Sequence, residues 1–166
     1  MKKRVIILSI IILIFGIIII FNFNNLSSLI THRIDQNDII RNFNGNITIF
    51  TNTSKFLADY SDDITIDNKS KEKNRYILDI LPSGGLIEEE YVNVDLVNKN
   101  FNTIFNKLHY SCIRKDSNAI YYIRNSDFSY EQGIIYSLDG KAPNPNQVRI
   151  KKITNLKDGW YYYEGE

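Results

Sequence analysis

Hydrophobic residues run without a charge from Val5 to Phe21, interrupted only by Ser9 and Gly16. Extended to Phe23, the run has the length of a helix that crosses the ~30 Å hydrocarbon core of a bilayer. It is apolar on all sides, whereas a helix buried in a globular core carries one apolar stripe. The pattern therefore predicts a transmembrane helix over residues 5–23.

The charges that flank this helix predict its orientation. Lys2, Lys3 and Arg4 precede it, and the next basic side chain of this kind is Arg33. Basic residues are retained on the cytoplasmic side, so residues 1–4 are expected in the cytoplasm, residues 24–34 form a connector and residues 35–166 lie outside. The alternative is a cleaved signal peptide and a secreted domain, but the run is long for a signal and no Ala-x-Ala cleavage pattern follows it.

Helical spacing predicts two helices in the outer domain. Apolar residues recur three, four and seven positions apart between Ile39 and Tyr60, with Asp35 or Asn37 as the N-cap. Within this stretch Ile47–Phe50 also has the composition of a strand. A second helix is expected over Asp95–Leu108, with Asp95 as its N-cap and Leu96 among the residues of its apolar face.

Short apolar stretches separated by turn residues predict a sheet. Asp139-Gly140 and Lys157-Asp158-Gly159 are strong turn signals, and the polar run Asn68–Asn74 reads as another turn. Because the strands follow each other as hairpins, the sheet should be mainly antiparallel and the fold class α+β. The predicted strands are Ile64–Ile66, Arg75–Leu81, Tyr110–Arg114, Ala119–Arg124, Gly133–Leu138, Val148–Thr154 and Trp160–Glu164.

Composition supports a folded domain and argues against nucleic-acid binding. Hydrophobic residues make up 43% of the chain and aromatic residues 13%, which is unlike a disordered chain. Three of the twenty Lys and Arg residues precede the helix, which leaves seventeen against nineteen Asp and Glu in the rest of the chain. Both signs are interspersed there, so no concentrated basic face is expected to bind nucleic acid. The single cysteine, Cys112, excludes an intramolecular disulfide.

Catalytic patterns are weak. His109 and Cys112 are the nearest approach to a nucleophile with its base, and they suggest a tethered enzyme of unrecognised type as an alternative function. Ser70 and Lys73 match a motif of serine acyltransferases without its companion motifs. Glu88–Glu90 reads as a solvated acidic loop, since three consecutive carboxylates do not have the spacing of a calcium loop. No cofactor and no metal site is predicted.

Aromatic residues in the last strands are the main candidate for a binding surface. Tyr and Trp are enriched in protein interfaces, although on a strand alternate members can also pack in the core. The leading hypothesis is a membrane-anchored, non-enzymatic domain that contacts another envelope protein or a peptide, and an accessory subunit of a membrane complex is a further alternative. The predicted contact residues are Tyr121, Tyr122, Trp160, Tyr161, Tyr162 and Tyr163.

Overall fold

The computed structural model describes residues 34–69, 71–72, 75–127, 130–144 and 149–165, all within one compact unit, Ile34–Glu166. The predicted transmembrane helix over residues 5–23 and all but the last residue of the connector lie outside the described residues. Among the helices that are described, none combines the length and the apolar character needed to span a bilayer. The predicted α+β class and antiparallel sheet are confirmed.

Two helices, α1 (Gln36–Gly45) and α2 (Ile47–Ala58), replace the single helix predicted for this region. The predicted cap Asp35 is confirmed, since its carboxylate accepts a 2.9 Å hydrogen bond from the backbone N–H of Asn37. Gly45 and Asn46 are poor helix formers, and the backbone leaves the helical region at Asn46, with φ −132° and ψ 20°. Ile47–Phe50 belongs to α2, so the helix favoured by the apolar spacing is confirmed there and the strand suggested by composition is not formed.

A third helix, α3 (Asp95–Asn102), continues as a π-helical turn over Thr103–Lys107. The second predicted helix is thus confirmed in place, but Asp95 is its first helical residue and Val94 occupies the cap position. Leu96 was predicted to face the core, yet 58% of it is exposed. Val97 and Phe101 are the apolar residues of α3 that are buried in the core.

The strands form an antiparallel sheet. Eight of them follow the spatial order β2-β3-β1-β5-β6-β7-β9-β8, and β4 also pairs with β3. Asp79 and Ile80 of β3 pair with both β1 and β4, so β4 lies on the far side of β3 from β1 and is an edge strand. The strands are β1 (Asp63–Asp67), β2 (Lys71–Glu72), β3 (Arg75–Leu81), β4 (Glu88–Tyr91), β5 (Cys112–Lys115), β6 (Ala119–Asp127), β7 (Tyr130–Ser137), β8 (Ile150–Lys157) and β9 (Trp160–Gly165).

Each of the seven predicted strands overlaps an observed one, whereas β2 and β4 were not predicted. β2 lies within the predicted turn Asn68–Asn74, and it is only two residues long. The acidic segment Glu88–Glu90 forms most of β4 instead of a loop, and all four residues of that strand are exposed. A strand without buried side chains has no alternation of hydrophobicity, so the pattern used to find strands is missing from it.

The central strands are buried on both faces. On the face that carries the helices, Tyr122, Ile134 and Tyr162 are fully buried. On the opposite face, Ile135 and Tyr163 are also fully buried, in a second and smaller apolar cluster. Alternate residues of β6, β7 and β9 therefore contribute to two cores, which explains why these strands read as nearly continuous apolar runs in the sequence.

The side chain of Asn98 joins α3 to the outer part of the sheet. Its Oδ1 accepts a 2.8 Å hydrogen bond from the backbone N–H of Tyr76, and its Nδ2 donates to the backbone oxygen of Val92 at 2.7 Å. Tyr76 belongs to β3, and Val92 directly follows β4. The side-chain amide of Asn98 thus links α3 to β3 and to the residue that follows β4.

A second side-chain amide holds the beginning of the domain. Gln132 of β7 is fully buried; its Nε2 donates to the backbone oxygen of Ile34 at 3.3 Å and its Oε1 accepts from the Tyr130 hydroxyl at 2.7 Å. Nearby, Lys152 of β8 donates to Gln36 at 2.6 Å. The first described residues are therefore tied to β7 and β8.

Gly133 of β7 pairs with Ile123 of β6, at the point where the register between the two strands shifts. A Cβ at this position would lie 2.0 Å from the backbone oxygen of Tyr122, which is a backbone clash. We expect Gly133→Ala to lower the free energy of unfolding by roughly 2–3 kcal/mol, the range of severe overpacking. The change is measured on the full chain by thermal denaturation followed through the fluorescence of Trp160, the only tryptophan.

Gly45→Ala is the matched control, because a Cβ there would meet nothing within 4 Å. An alanine at this helix end should leave the melting temperature unchanged or raise it, since glycine is the more costly residue in a helix. Equal melting temperatures for the two variants would show that β6 and β7 are farther apart than described.

Candidate functional site

The six predicted contact residues are all buried, and none of them is more than 7% exposed. Three face α1 and α2, and three face the opposite side of the sheet. In these positions their rings contact other parts of the same domain and leave almost no surface for a partner. The residues of the helix side are Tyr122, Trp160 and Tyr162, and those of the other side are Tyr121, Tyr161 and Tyr163.

On the helix side the aromatic rings form a continuous cluster. The Trp160 ring lies 4.9 Å from that of Phe43 in α1, and the Tyr122 ring lies 4.9 Å from that of Phe50 in α2. The Tyr122 hydroxyl is 2.7 Å from the Ser54 hydroxyl and donates to the backbone oxygen of Phe50 at 3.1 Å. Burial raises the pKa of Tyr122 far above its ordinary value. This hydroxyl remains protonated and serves to join β6 to α2.

On the opposite side, charged groups border the second apolar cluster. Arg114 of β5 lies 3.2 Å from the Glu131 carboxylate, which also accepts a 2.5 Å hydrogen bond from the Tyr163 hydroxyl. The Arg114 guanidinium lies over the Tyr121 ring, 5.0 Å from its centroid. Burial, followed by the Glu131 charge, raises the pKa of Tyr163. Each polar group in this set has a partner within the domain, which indicates a structural role.

Cys112 and His109 lie in different surroundings. Burial raises the pKa of the Cys112 thiol to about 11, and the positive charge of Arg114 offsets only part of that shift. A catalytic cysteine needs the opposite shift, toward the thiolate. His109 is exposed and adopts a left-handed backbone conformation, with φ 56°, in the connection before β5. The described geometry therefore does not support the alternative of a tethered cysteine enzyme.

Two further sequence candidates were Ser70 with Lys73 and the acidic run Glu88–Glu90. Ser70 and Lys73 lie outside the described residues. Within the ranges that are described, no group of three or more His, Cys, Asp and Glu side chains is arranged to hold a metal ion, and Glu88–Glu90 is no exception.

A cavity of about 220 Å³ opens beside Tyr121, where the connection from β7 to β8 begins. The Asp139 carboxylate at its rim accepts hydrogen bonds from Ser137 at 2.8 Å and from the backbone of Lys141 at 2.9 Å. These bonds lower the pKa of Asp139. The carboxylate is therefore used to stabilise its own turn.

The exposed apolar surface lies elsewhere, around β4. All six large hydrophobic side chains that are exposed in the described part of the chain fall between residues 81 and 96. We call these residues, together with Glu88–Glu90, the β4 patch. Its apolar members are Leu81 (49% exposed), Leu86 (89%), Ile87 (65%), Tyr91 (39%), Val94 (46%) and Leu96 (58%).

The backbone of β4 has one free side. The N–H of Val92 donates to the oxygen of Tyr76, and β4 pairs residue by residue with β3 from there. Hydrogen-bonded pairs alternate along an antiparallel ladder, so Glu88 and Glu90 point their backbone groups toward β3. The backbone groups of Glu89 and Tyr91 then point outward, and no other described strand pairs with them.

Tyr91 and Glu90 are fixed within the patch. The Tyr91 hydroxyl donates to the Glu72 carboxylate, and Arg75 lies 5.7 Å from the centroid of the Tyr91 ring. The Glu90 carboxylate accepts a 3.0 Å hydrogen bond from Tyr60, and burial together with this bond raises the pKa of Tyr60 to about 12. These two side chains of the patch are thus held in place by neighbouring residues. The sequence signal for it was the pair Leu86-Ile87 directly after a Pro-Ser-Gly-Gly turn, outside any helical or strand pattern.

Comparison of the whole chain with models of protein families, with curated proteins and with solved structures gave no match. The candidate site therefore depends on the geometry described above.

The raised pKa of Cys112 predicts slow alkylation. At pH 8 the folded chain should have roughly a hundredfold less thiolate than a chain in which the thiol has its ordinary pKa, because two pKa units separate the values of 9.0 and about 11. We expect the rate of reaction with iodoacetamide to be at least about tenfold lower in the folded chain than in urea, and to rise with pH toward 11.

The same shift predicts how stability depends on pH. Between pH 9 and 11 the folded chain keeps a thiol proton that the unfolded chain releases. Stability from this group is therefore complete below pH 9 and is lost as the pH rises through 11. Cys112→Ser, which lacks this titration, is the control. Rapid alkylation of the folded chain at pH 7 would contradict the burial of the thiol.

Proposed function

We propose that the protein is a single-pass protein of the cell membrane whose outward-facing domain binds another envelope protein or a peptide. The apolar run over residues 5–23 and the basic residues before it support the anchor and its orientation. The compact unit Ile34–Glu166 supports a separately folded module beyond the anchor. The buried aromatic strands supply the core of this module, and the proposed contact surface is the β4 patch.

The observation that carries this proposal is the concentration of exposed apolar side chains around β4. Single exposed hydrophobic residues are common on any protein surface, whereas grouped ones mark interaction sites. Here the group lies along an edge strand, from the turn before β4 to the first turn of α3. Apolar contact and backbone pairing are therefore offered by the same segment.

Strand addition is the mode of binding that fits this segment. The outward N–H and C=O groups of Glu89 and Tyr91 can pair with the backbone of an extended partner, and the flanking apolar side chains can contact its side chains. Tyr91 is held by Glu72 and Arg75 before any partner arrives. A side chain that is already ordered loses little entropy on binding, which favours affinity.

Protease treatment tests the anchor and its orientation. In cells that express the full chain, we expect the protein to remain with the membranes and the domain to be digested by protease added outside spheroplasts. Protection of the domain would contradict the outward orientation. A shorter form in the culture medium would show that residues 5–23 are removed as part of a signal peptide.

Substitution in the patch tests the contact surface. Leu86→Ser with Ile87→Ser should lower the yield of crosslinks from a photoreactive residue at Val94 by about tenfold or more, as expected when anchor residues of an interface are removed. Both side chains are largely exposed, so the melting temperature should not change.

A photoreactive residue at Lys55, on the exposed face of α2, is the matched control and should give no discrete crosslinked product. If the Val94 crosslinks persist at full yield in the double variant, the β4 patch is not the contact surface.

A further inference from the structure

Apart from the two-residue β2, which pairs only with β3, the described sheet has two edge strands, and they carry opposite charges. β4 pairs only with β3 among the described strands, and β8 pairs only with β9. β4 contributes the exposed Glu88, Glu89 and Glu90 and no basic residue. β8 and the residue before it contribute exposed basic residues and no acidic one; they are Arg149, Lys151, Lys152 and Lys157.

These charges determine which edges can pair. Like charges opposite each other destabilise a strand pair, and charged residues on edge strands prevent a sheet from associating with its own kind. Two β4 strands from different copies would place glutamates against glutamates, and two β8 strands would place lysines against lysines. A pair of β4 with β8 is the combination in which opposite charges meet. Glu88 and Glu89 are available for it, since neither forms an ion pair with a described residue, whereas the Glu90 carboxylate already accepts a hydrogen bond from Tyr60.

The strand directions also permit this pair. Seven antiparallel steps separate β4 from β8 along the sheet, so the two edges run in opposite directions. A second copy can therefore place its β8 antiparallel to β4 and keep its helices on the same face of the joined sheet. Antiparallel addition is the arrangement that aligned hydrogen bonds favour in such sheets.

We infer that the partner of the β4 patch is a second copy of this chain, which adds its β8 to β4. This inference rests on the proposed function, because it assigns the occupant of the same edge. The pair would still have one free edge of each charge, β8 of one copy and β4 of the other, so the contact is heterologous and extends from copy to copy. Exposed charge pairs are weakened by salt, and the assembly should dissociate as the ionic strength rises.

Zero-length crosslinking tests this pair directly. The full chain is produced with ¹⁴N and with ¹⁵N, the two preparations are reconstituted together in liposomes, and a carbodiimide joins carboxylates to lysine amines that are in contact. We expect mixed-isotope peptides that link Glu88 or Glu89 to Lys151, Lys152 or Lys157. The yield should fall with added salt.

Charge reversal provides the specific control. Glu88→Lys with Glu89→Lys, or Lys151→Glu with Lys157→Glu, should each lower the yield of linked copies by roughly tenfold, because the two edges then carry like charges and fewer carboxylate–amine pairs remain to be linked. Mixing the two variants should restore the links, since each then offers the edge that the other lacks. Lys55→Glu, an exposed charge reversal on α2, should have no effect, and the fluorescence of Trp160 checks that every variant is folded.

The outcomes separate this inference from the proposed function. Absence of mixed-isotope links between β4 and β8, or failure of the mixed variants to restore them, overturns self-assembly. If β4 carboxylates are linked in cell membranes to a different protein and not to β8, the inference is wrong while the proposed function stands. Links between copies that survive both charge reversals would also overturn it, because another surface would then hold the copies together.

Discussion

Packing of two helices against an aromatic sheet is the interaction on which the rest of the domain depends. Trp160 of β9 contacts Phe43 of α1 and Tyr136 of β7, with ring centroids 4.9 Å and 4.6 Å apart. Phe50 of α2 contacts the same tryptophan and Tyr122 of β6. These rings bury large apolar areas, and aromatic pairs add a modest amount beyond their area. The aromatic residues of the last strands are thus accounted for by stability before any binding role is considered.

Much of the fold could be predicted from local patterns. Asp35 was found as a helix cap because a side-chain carboxylate meets unpaired N–H groups there, and β3 was predicted with its observed bounds. The break at Asn46 was missed, because the apolar spacing continues from Ile39 to Leu57 and outweighed the weak helix propensity of Gly45 and Asn46. Asp95 was predicted as the N-cap but is the first helical residue. Aspartate is favourable at both positions, so its residue type does not distinguish them.

The candidate site was predicted less well, and the reason is tertiary. Alternation in β6 and β9 assigns residues to two faces but does not say whether the second face is covered, and here Tyr121 and Tyr163 are buried on it. β4 was missed because its three glutamates have no strand pattern of their own and are ordered by pairing with β3. Leu96 fits the apolar stripe of α3 by spacing, but it is 58% exposed, while the next residue, Val97, is buried.

Asn98 gives this edge of the sheet a mechanical connection. Its amide bonds to Tyr76 of β3 and to Val92 after β4, so α3 is held to the two outermost strands by the same side chain. β4 therefore cannot move away from β3 unless α3 moves with it or these hydrogen bonds break. A force applied along β4 is transmitted to α3 and, through the contacts of Phe101 with Phe56 and Tyr76, into the interior of the domain. A load on this edge would be shared between the hydrogen bonds of β4 to β3 and the packing of α3 in the interior.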